Sequence, residues 1–139
     1  MSWANRYIGI PEQEFGRAIE GCDCWGLACL VYAGELNITL PSFAGQYAGV
    51  EEHEEISALI GREQSRAIWR LNPAGEVAPF DILIFRRGPW RSHVGIAVTE
   101  TLMLHMQGQA RIEHFNSGEW QPRLTGVYSH VKAPVEGAL

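Results

Sequence analysis

From Trp25 to Gly34 the chain carries no charged side chain. A helix over this stretch is apolar nearly all round, and such a helix belongs inside a domain. The pattern predicts it from about Cys24 to Leu36. Asp23 serves as N-cap, its carboxylate able to accept from first-turn N–H groups, and Asn37 and Pro41 end the helix. Upstream, Trp3, Tyr7, Ile8, Ile10 and Phe15 are interrupted by Gly9, Pro11 and Gly16. That punctuation predicts a short helical turn and then a loop that packs its aromatics on the domain. Downstream, residues 41–49 read as an ordered loop. Glu51, Glu52, Glu54 and Glu55 then open a second helix, acidic where the dipole prefers it, with Ile56, Leu59 and Ile60 turned inward and His53 on the solvated face. Ile68 to Leu71 and the turn Asn72-Pro73-Ala74-Gly75 lead into the second half.

From Pro79 the period changes to that of strands. Ile82-Leu83-Ile84-Phe85 is apolar on both faces, as a central strand is, and Arg86-Arg87-Gly88-Pro89 closes it with a turn. Residues 94–99, 102–107, 111–115 and 127–131 give four more strands. Helices first and strands afterwards imply an α+β fold, with N-terminal helices packed on one side of an antiparallel β-sheet of about five strands. At 139 residues the chain is expected to form one domain over 1–139, with 134–139 as a frayed tail.

Charge and composition narrow the function classes. With 46% hydrophobic and 19% charged residues the chain reads as an ordinary soluble domain. A net charge of -5 argues against nucleic acid or an anionic membrane as a partner of a general basic surface. Met1 to Tyr7 lacks the basic start and apolar core of a secretory signal, and no window approaches a membrane span. The protein is therefore expected to be made in the cytoplasm, to insert in no membrane, and to leave only if carried. Three cysteines are an odd number, and Cys22-x-Cys24 is tighter than the usual zinc arm. Neither a disulfide framework nor a structural zinc is expected, and no cofactor.

Cys24 is the candidate nucleophile. It falls in the first turn of the apolar helix, where the dipole and unpaired N–H groups favour thiolate, whereas Cys22 precedes the cap and Cys29 lies on another side. A lone cysteine is more often a small buried hydrophobe, so support has to come from elsewhere. In Ser92-His93-Val94-Gly95-Ile96-Ala97, period two puts His93, Gly95 and Ala97 on one face. Small residues beneath His93 make a hollow into which a helix end could bring Cys24 within reach of the imidazole. Met103, His105 and Gln107 alternate in the next strand. A hairpin turning about Glu100 sets His105 opposite Gly95 and diagonal to His93, and a one-residue slip would turn it away. His114 and His130 lack such a setting and read as strand-end or surface imidazoles. Asp81 reads as a strand start that tethers a turn.

Gly21-Cys22-Asp23-Cys24-Trp25-Gly26-Leu27, Asp81-Ile82-Leu83-Ile84-Phe85, His93-Val94-Gly95-Ile96 and Met103-Leu104-His105 together resemble the ordered motifs of the NlpC/P60 cysteine peptidases. The similarity runs from Tyr7 to about Tyr128. It is closest to the branch encoded with phage tails and gene transfer agents, where Asp-Cys-Trp-Gly-Leu is the usual nucleophile motif. The resemblance implies a papain-like fold with Cys24 as nucleophile, His93 as general base and His105 as the residue that orients it. It further implies that Asp23 helps receive substrate, that Tyr7 is an aromatic near the cleft, and that Trp25 contributes to substrate binding. Peptide bonds of bacterial peptidoglycan would be the substrate, and phage-tail or baseplate hub proteins the partners of a virion-associated enzyme. A structural tail protein with a vestigial pocket, or an amidase or acyltransferase on the same fold, are the rival expectations. The sequence departs from the family pattern at Phe80, where glycine often precedes the strand aspartate, and this leaves the shape of that turn open.

Overall fold

The computed structural model describes residues 2–46, 58, 60–63, 65–73 and 75–133. The expected tail at 134–139, His53 and most of the expected second helix lie outside the described residues. Of that helix, residues 58 and 60–63 are helical, with Ile60 buried.

The N-terminal helical turn is a 3-10 helix, Trp3–Tyr7, capped by the Ser2 hydroxyl on Ala4 N. A hairpin of two-residue strands follows, β1 (Arg17–Ala18) and β2 (Gly21–Cys22), and leads into helix α1 (Cys24–Leu36). Asp23 is the N-cap, its side chain accepting from Gly26 N, and Asn37 closes the helix in the left-handed conformation. Such C-terminal closures favour Gly or Asn because their side chains tolerate positive φ. The sheet consists of β3 (Trp69–Leu71), β4 (Ile82–Arg87), β5 (Trp90–Ala97), β6 (Leu102–Gln107), β7 (Gln109–His114) and β8 (Leu124–His130). Its order is β3-β8-β4-β5-β6-β7, antiparallel throughout.

The expected five strands are thus six, plus the small two-stranded sheet, and α1 is the one long helix among the described residues. The sixth strand, Trp69–Leu71, pairs with Tyr128 to His130 at the sheet edge. Three residues are too few for alternation to declare itself. The β1–β2 hairpin escaped for the same reason.

Alternation sorts the side chains of the sheet into two apolar layers. Ile82, Ile84, Val94, Ile96, Leu104 and Met106 share a buried cluster with Leu27, Ala28 and Val31 of α1. Leu83, Phe85, Ala97 and Met103 form a second cluster with Phe115, Trp120 and Val127. The helix therefore covers the Val94 face, and the expected hollow under His93 does not receive it. That space is filled from within the sheet: a Cβ at Gly95 would lie 2.8 Å from Met103 Sδ and 3.5 Å from the Phe85 ring.

The N-terminal segment fixes the helix start against the far edge of the sheet. Gly9 N donates to Ala110 O, Ala110 N to Ile10 O, and Glu12 N to Gly108 O, so this segment covers the free edge of β7. Cys22 N donates to Pro11 O and Gln13 N to Cys22 O, which carries the same segment to the residue before the cap.

Phe80 resolves the open turn. Its φ is +73°, so it adopts the left-handed backbone that a glycine would take there. Its ring stacks on Trp3 at 4.6 Å, its N–H donates to Ala97 O, and its carbonyl accepts from the Tyr32 hydroxyl. Asp81 tethers the turn as expected, accepting from Ala78 N at 2.9 Å and from Ser129 Oγ at 2.7 Å.

Candidate active site

Gly95 pairs with His105, Ile96 with Leu104 and Ala97 with Met103, the register that places His105 diagonal to His93. Both imidazoles are fully buried, and His93 Nε2 lies 2.9 Å from His105 Nδ1. Trp120 stacks on the His93 ring at 4.9 Å and meets His105 edge-on at 5.0 Å. The histidines thus sit on the face opposite the body of α1.

The hydrogen bonds assign the protons. Arg87 Nη2 lies 2.8 Å from His93 Nδ1, and a guanidinium has only donors to offer, so Nδ1 is the accepting nitrogen. The His93 proton is then on Nε2, donated to His105 Nδ1. The His105 proton is on Nε2, 2.9 Å from Glu113 Oε1. Arg111 Nε approaches the same carboxylate oxygen at 3.3 Å. The line Arg87, His93, His105, Glu113 runs donor to acceptor at every step. Both imidazoles are neutral in it. Burial, then the Arg87 charge, then His105, hold His93 well below the ordinary histidine range, and burial lowers His105 against the opposing pull of Glu113.

Cys24 opens α1 against β5, half-buried, and the N–H of Val94, the residue after His93 in the strand, supports its thiolate form. Its thiol is nevertheless pushed up to about 11, by burial first and by Asp23 second, with Arg87 and Val94 N–H pulling the other way. The expected helix-end activation is therefore outweighed. A helix terminus contributes about 0.3–1 kcal/mol, less than the desolvation of a charge costs. Cys22 and Cys29 are pushed up further, each to about 12, chiefly by burial. Of the three, Cys24 is the one whose surroundings include both a backbone donor from β5 and a cation from β4.

The remaining expected site residues divide. Asp23 adjoins the thiol, but its carboxylate accepts from Gly26 N at 2.8 Å, from Arg17 Nη1 at 2.8 Å and from Phe15 N at 3.3 Å, so it shapes the loop before the helix. Trp25 is a buried pillar: its indole N–H donates to Pro41 O at 2.7 Å and its ring stacks near Phe43. Tyr7 is not brought to the site. Its hydroxyl donates to Glu35 Oε2 at 2.8 Å, at the opposite end of α1 from Cys24, about 16 Å away along the axis at 1.5 Å per residue. A bare backbone at Gly34 gives the phenol its niche. His114 is exposed. His130 is buried against Trp69 and Tyr32 and accepts from Lys132 N, a packing role rather than a surface one.

Arg87, Glu113 and Trp120 went unnoticed in the sequence. Glu113 had a signal: a tight hairpin about Gly108 pairs His105 with Arg111 and Met103 with Glu113, which sets Glu113 diagonal to His105 on the same face. Arg87 had none, because β5 bulges. Phe85 pairs with His93 but Arg86 with Arg91, leaving Ser92 as the extra residue, and such bulges re-aim neighbouring side chains. Among the described residues, no group of three or more His, Cys, Asp and Glu is arranged to hold a metal ion, and no helix is long and apolar enough to cross a membrane.

A protein-family model described as the NlpC/P60 family matches residues 12–129. No curated protein sequence matches significantly. Among the solved structures that share the fold are three. An NLP/P60-family protein similar to a lipoprotein, from Staphylococcus aureus subsp. aureus Mu50, is 21% identical with a TM-score of 0.65, over 92% of this chain and 39% of its own. The NlpC/p60 domain of the peptidoglycan hydrolase SagA is 18% identical with a TM-score of 0.61, over 91% and 92%. NlpC2 from Trichomonas vaginalis is 18% identical with a TM-score of 0.65, over 91% and 45%. The chain thus spans less than half of two of these chains and nearly all of the third, which is a single domain of its protein.

Proposed function

The chain belongs to the NlpC/P60 family, and we propose that it is a cysteine peptidase that hydrolyses peptide bonds of bacterial peptidoglycan. The observation that carries this reading is the buried line His93–His105–Glu113, with both tautomers fixed, beside the strand residue whose N–H supports the Cys24 sulfur. A general base held by a second group that is itself held is the arrangement nucleophilic catalysis needs. The peptidoglycan hydrolase among the structural neighbours supports the choice of substrate.

The chemistry is acyl transfer. The Cys24 thiol gives its proton to His93 Nδ1, and the sulfur attacks the scissile carbonyl carbon. Asp23 caps Gly26 N with its side chain and Leu27 N with its carbonyl, while the Cys24 and Trp25 amides supply the other first-turn donors for the oxyanion. The C–N bond breaks as the His93 proton passes to the leaving amine. Water then adds to the thioester and gives its proton to His93, and the thiol is restored as the acid leaves.

The experiment is release of free amino groups from purified sacculi, with products identified by mass, for the protein and its Cys24→Ala variant. New amino groups at a stem or cross-bridge bond, absent with the variant, support the reading. Release of other products points to an amidase or acyltransferase, and none at all to a vestigial site. The setting proposed for this activity is a tailed particle, on the resemblance carried by Asp23 to Leu27. Mass spectrometry of purified particles tests it: a few copies per particle are expected, and free protein alone would replace that setting with a soluble lytic role.

A further inference from the structure

His93 cannot accept a proton from Cys24 as the site stands. Its Nε2 carries a proton given to His105, and its Nδ1 lone pair is taken by the Arg87 N–H at 2.8 Å. An arginine does not deprotonate, so it holds that lone pair as long as it stays. The half-buried Cys24 thiol, pushed up by desolvation, is neutral as well, so nucleophile and base are both idle at rest.

Arg87 also faces outward. It lines an open cleft of about 640 Å³ with Arg86, Arg123, Trp120, Glu12 and Gln107. Three guanidiniums against one carboxylate make this cleft cationic on a chain whose net charge is -5. Two of them are fixed in place: Arg86 Nη2 donates to Pro122 O at 3.1 Å, and Arg123 lies over the Trp120 ring at 5.5 Å. Glu12 is engaged, its Oε1 accepting from Gly108 N. Trp120 adds an independent sign. It is 2% exposed, and its indole N–H is the one buried side-chain polar atom without a partner among the described residues. Three guanidiniums gathered at one cleft call for an acceptor with negative charge, and an unpartnered donor in the same wall leaves one more hydrogen bond to be made.

We propose that Arg87 is both latch and receptor: a carboxylate of the substrate peptide, held in the cleft of Arg86, Arg87 and Arg123, draws Arg87 off His93 Nδ1 and so frees the base for Cys24. The proposal rests on the reading of Cys24 and His93 as the reacting pair. It makes peptides with a free carboxylate near the scissile bond the preferred substrates. It also keeps the thiol protected until such a peptide arrives.

The test uses two stem peptides that differ only in that carboxylate, free in one and carboxamidated in the other. Wild type is expected to favour the free acid by about tenfold in kcat/KM, the discrimination of one charged hydrogen bond. Arg87→Met should lose most of that preference and should cleave the amide several-fold faster than wild type, because the base is now uncapped. Arg87→Leu, which also has no donor for His93 Nδ1, serves if methionine disturbs the fold. A second readout needs no turnover: in Cys24→Ala protein, the ¹⁵N signal of His93 Nδ1 should move toward that of a free lone pair when the carboxylate peptide is added, and stay put with the amide. Equal losses on both peptides in the Arg87 variants, or an Nδ1 signal that ignores the carboxylate, overturn the latch and leave the peptidase intact. An Nδ1 response without cleavage of either peptide overturns the peptidase and leaves the carboxylate site standing.

Discussion

On one face of β5, Val94 and Ile96 join the apolar cluster of α1; on the other, His93 lies in a line of four polar groups walled by Phe85 and Trp120. Both faces are equally dry, since Val94, Ile96, His93 and His105 are all at most 1% exposed. They differ in what a change removes. An apolar layer loses contacts in proportion to the atoms deleted, and its neighbours relax. A buried polar line loses a partner, and the group left behind keeps its full desolvation cost. The Val94 face should therefore degrade by degrees, and the His93 face link by link.

The largest effect is expected where the two faces meet. Cys24→Ala should fold normally and lose at least about 10⁴-fold in cleavage, as removal of a nucleophile does. Cys22→Ala and Cys29→Ala should keep most activity, with Cys22→Ala costing about 1 kcal/mol of stability because that side chain is fully buried. Comparable inactivation by Cys22→Ala, measured on sacculi, would assign the wrong sulfur.

Leu104 and His105 are neighbours in β6 on opposite faces, and they set the comparison most directly. Leu104→Ala should cost about 2–5 kcal/mol in denaturant unfolding while the folded fraction keeps its pH profile. His105→Ala should lose about 10²-fold in kcat, because the His93 Nε2–H then has nothing to hold its ring. His105→Gln, whose amide oxygen accepts the same bond, should retain measurable activity, and Glu113→Gln should fall between it and wild type. Equal rates for His105→Gln and His105→Ala would remove the line from catalysis.

Acid should also weaken the polar side before the apolar one. His93 and His105 are both lowered in the folded protein, chiefly by burial, and His130 on the α1 side is lowered in the same way. The unfolded chain binds protons at its histidines from about pH 6.5 downward while the folded one resists, so their contribution is fully present above that value and is lost as pH falls below it. Asp81 works with the opposite sign, since burial raises it and its protonation favours the folded state in acid. The urea midpoint is expected to fall from pH 7 to pH 5, and less steeply in His105→Gln. A midpoint flat over that range would mean the imidazoles are charged where they sit.

The legible part of this site was the part that obeys a period. Asp23 as cap, α1 over Cys24–Leu36 and the pairing of Gly95 with His105 all follow from helical and strand spacing, and all are present. Alternation says which residues share a face, but not which face a helix will cover. The hollow under His93 is therefore legible while its occupants, Met103 and Phe85 rather than a helix end, are not. At Cys24 the first-turn dipole is legible in the sequence but the burial of the thiol is not, and burial is the larger effect. Arg87 reached His93 through the extra residue Ser92, and a single bulge leaves no trace in a pattern of apolar and polar positions.

The smallest effect belongs to Phe80, where sequence and backbone disagree. A non-glycine residue at φ +73° costs about 1 kcal/mol or more, and the ring stacked on Trp3 at 4.6 Å and 22° returns about 0.5–1.5 kcal/mol. Phe80→Gly removes both at once, so the urea midpoint should move by no more than about 1 kcal/mol in either direction, after glycine's own entropic cost is included. Phe80→Ala keeps the strain and loses the stack, and should be less stable than Phe80→Gly by about 1 kcal/mol. Both keep the N–H donated to Ala97 O and the carbonyl that accepts from Tyr32, so the turn still ties α1 to the sheet. Cleavage should be unchanged in either, because the turn joins the helix-covered face at Tyr32 and touches no member of the histidine line. An alanine variant as stable as the glycine one would show that the backbone there is unstrained, and that the ring alone decides which residue the turn holds.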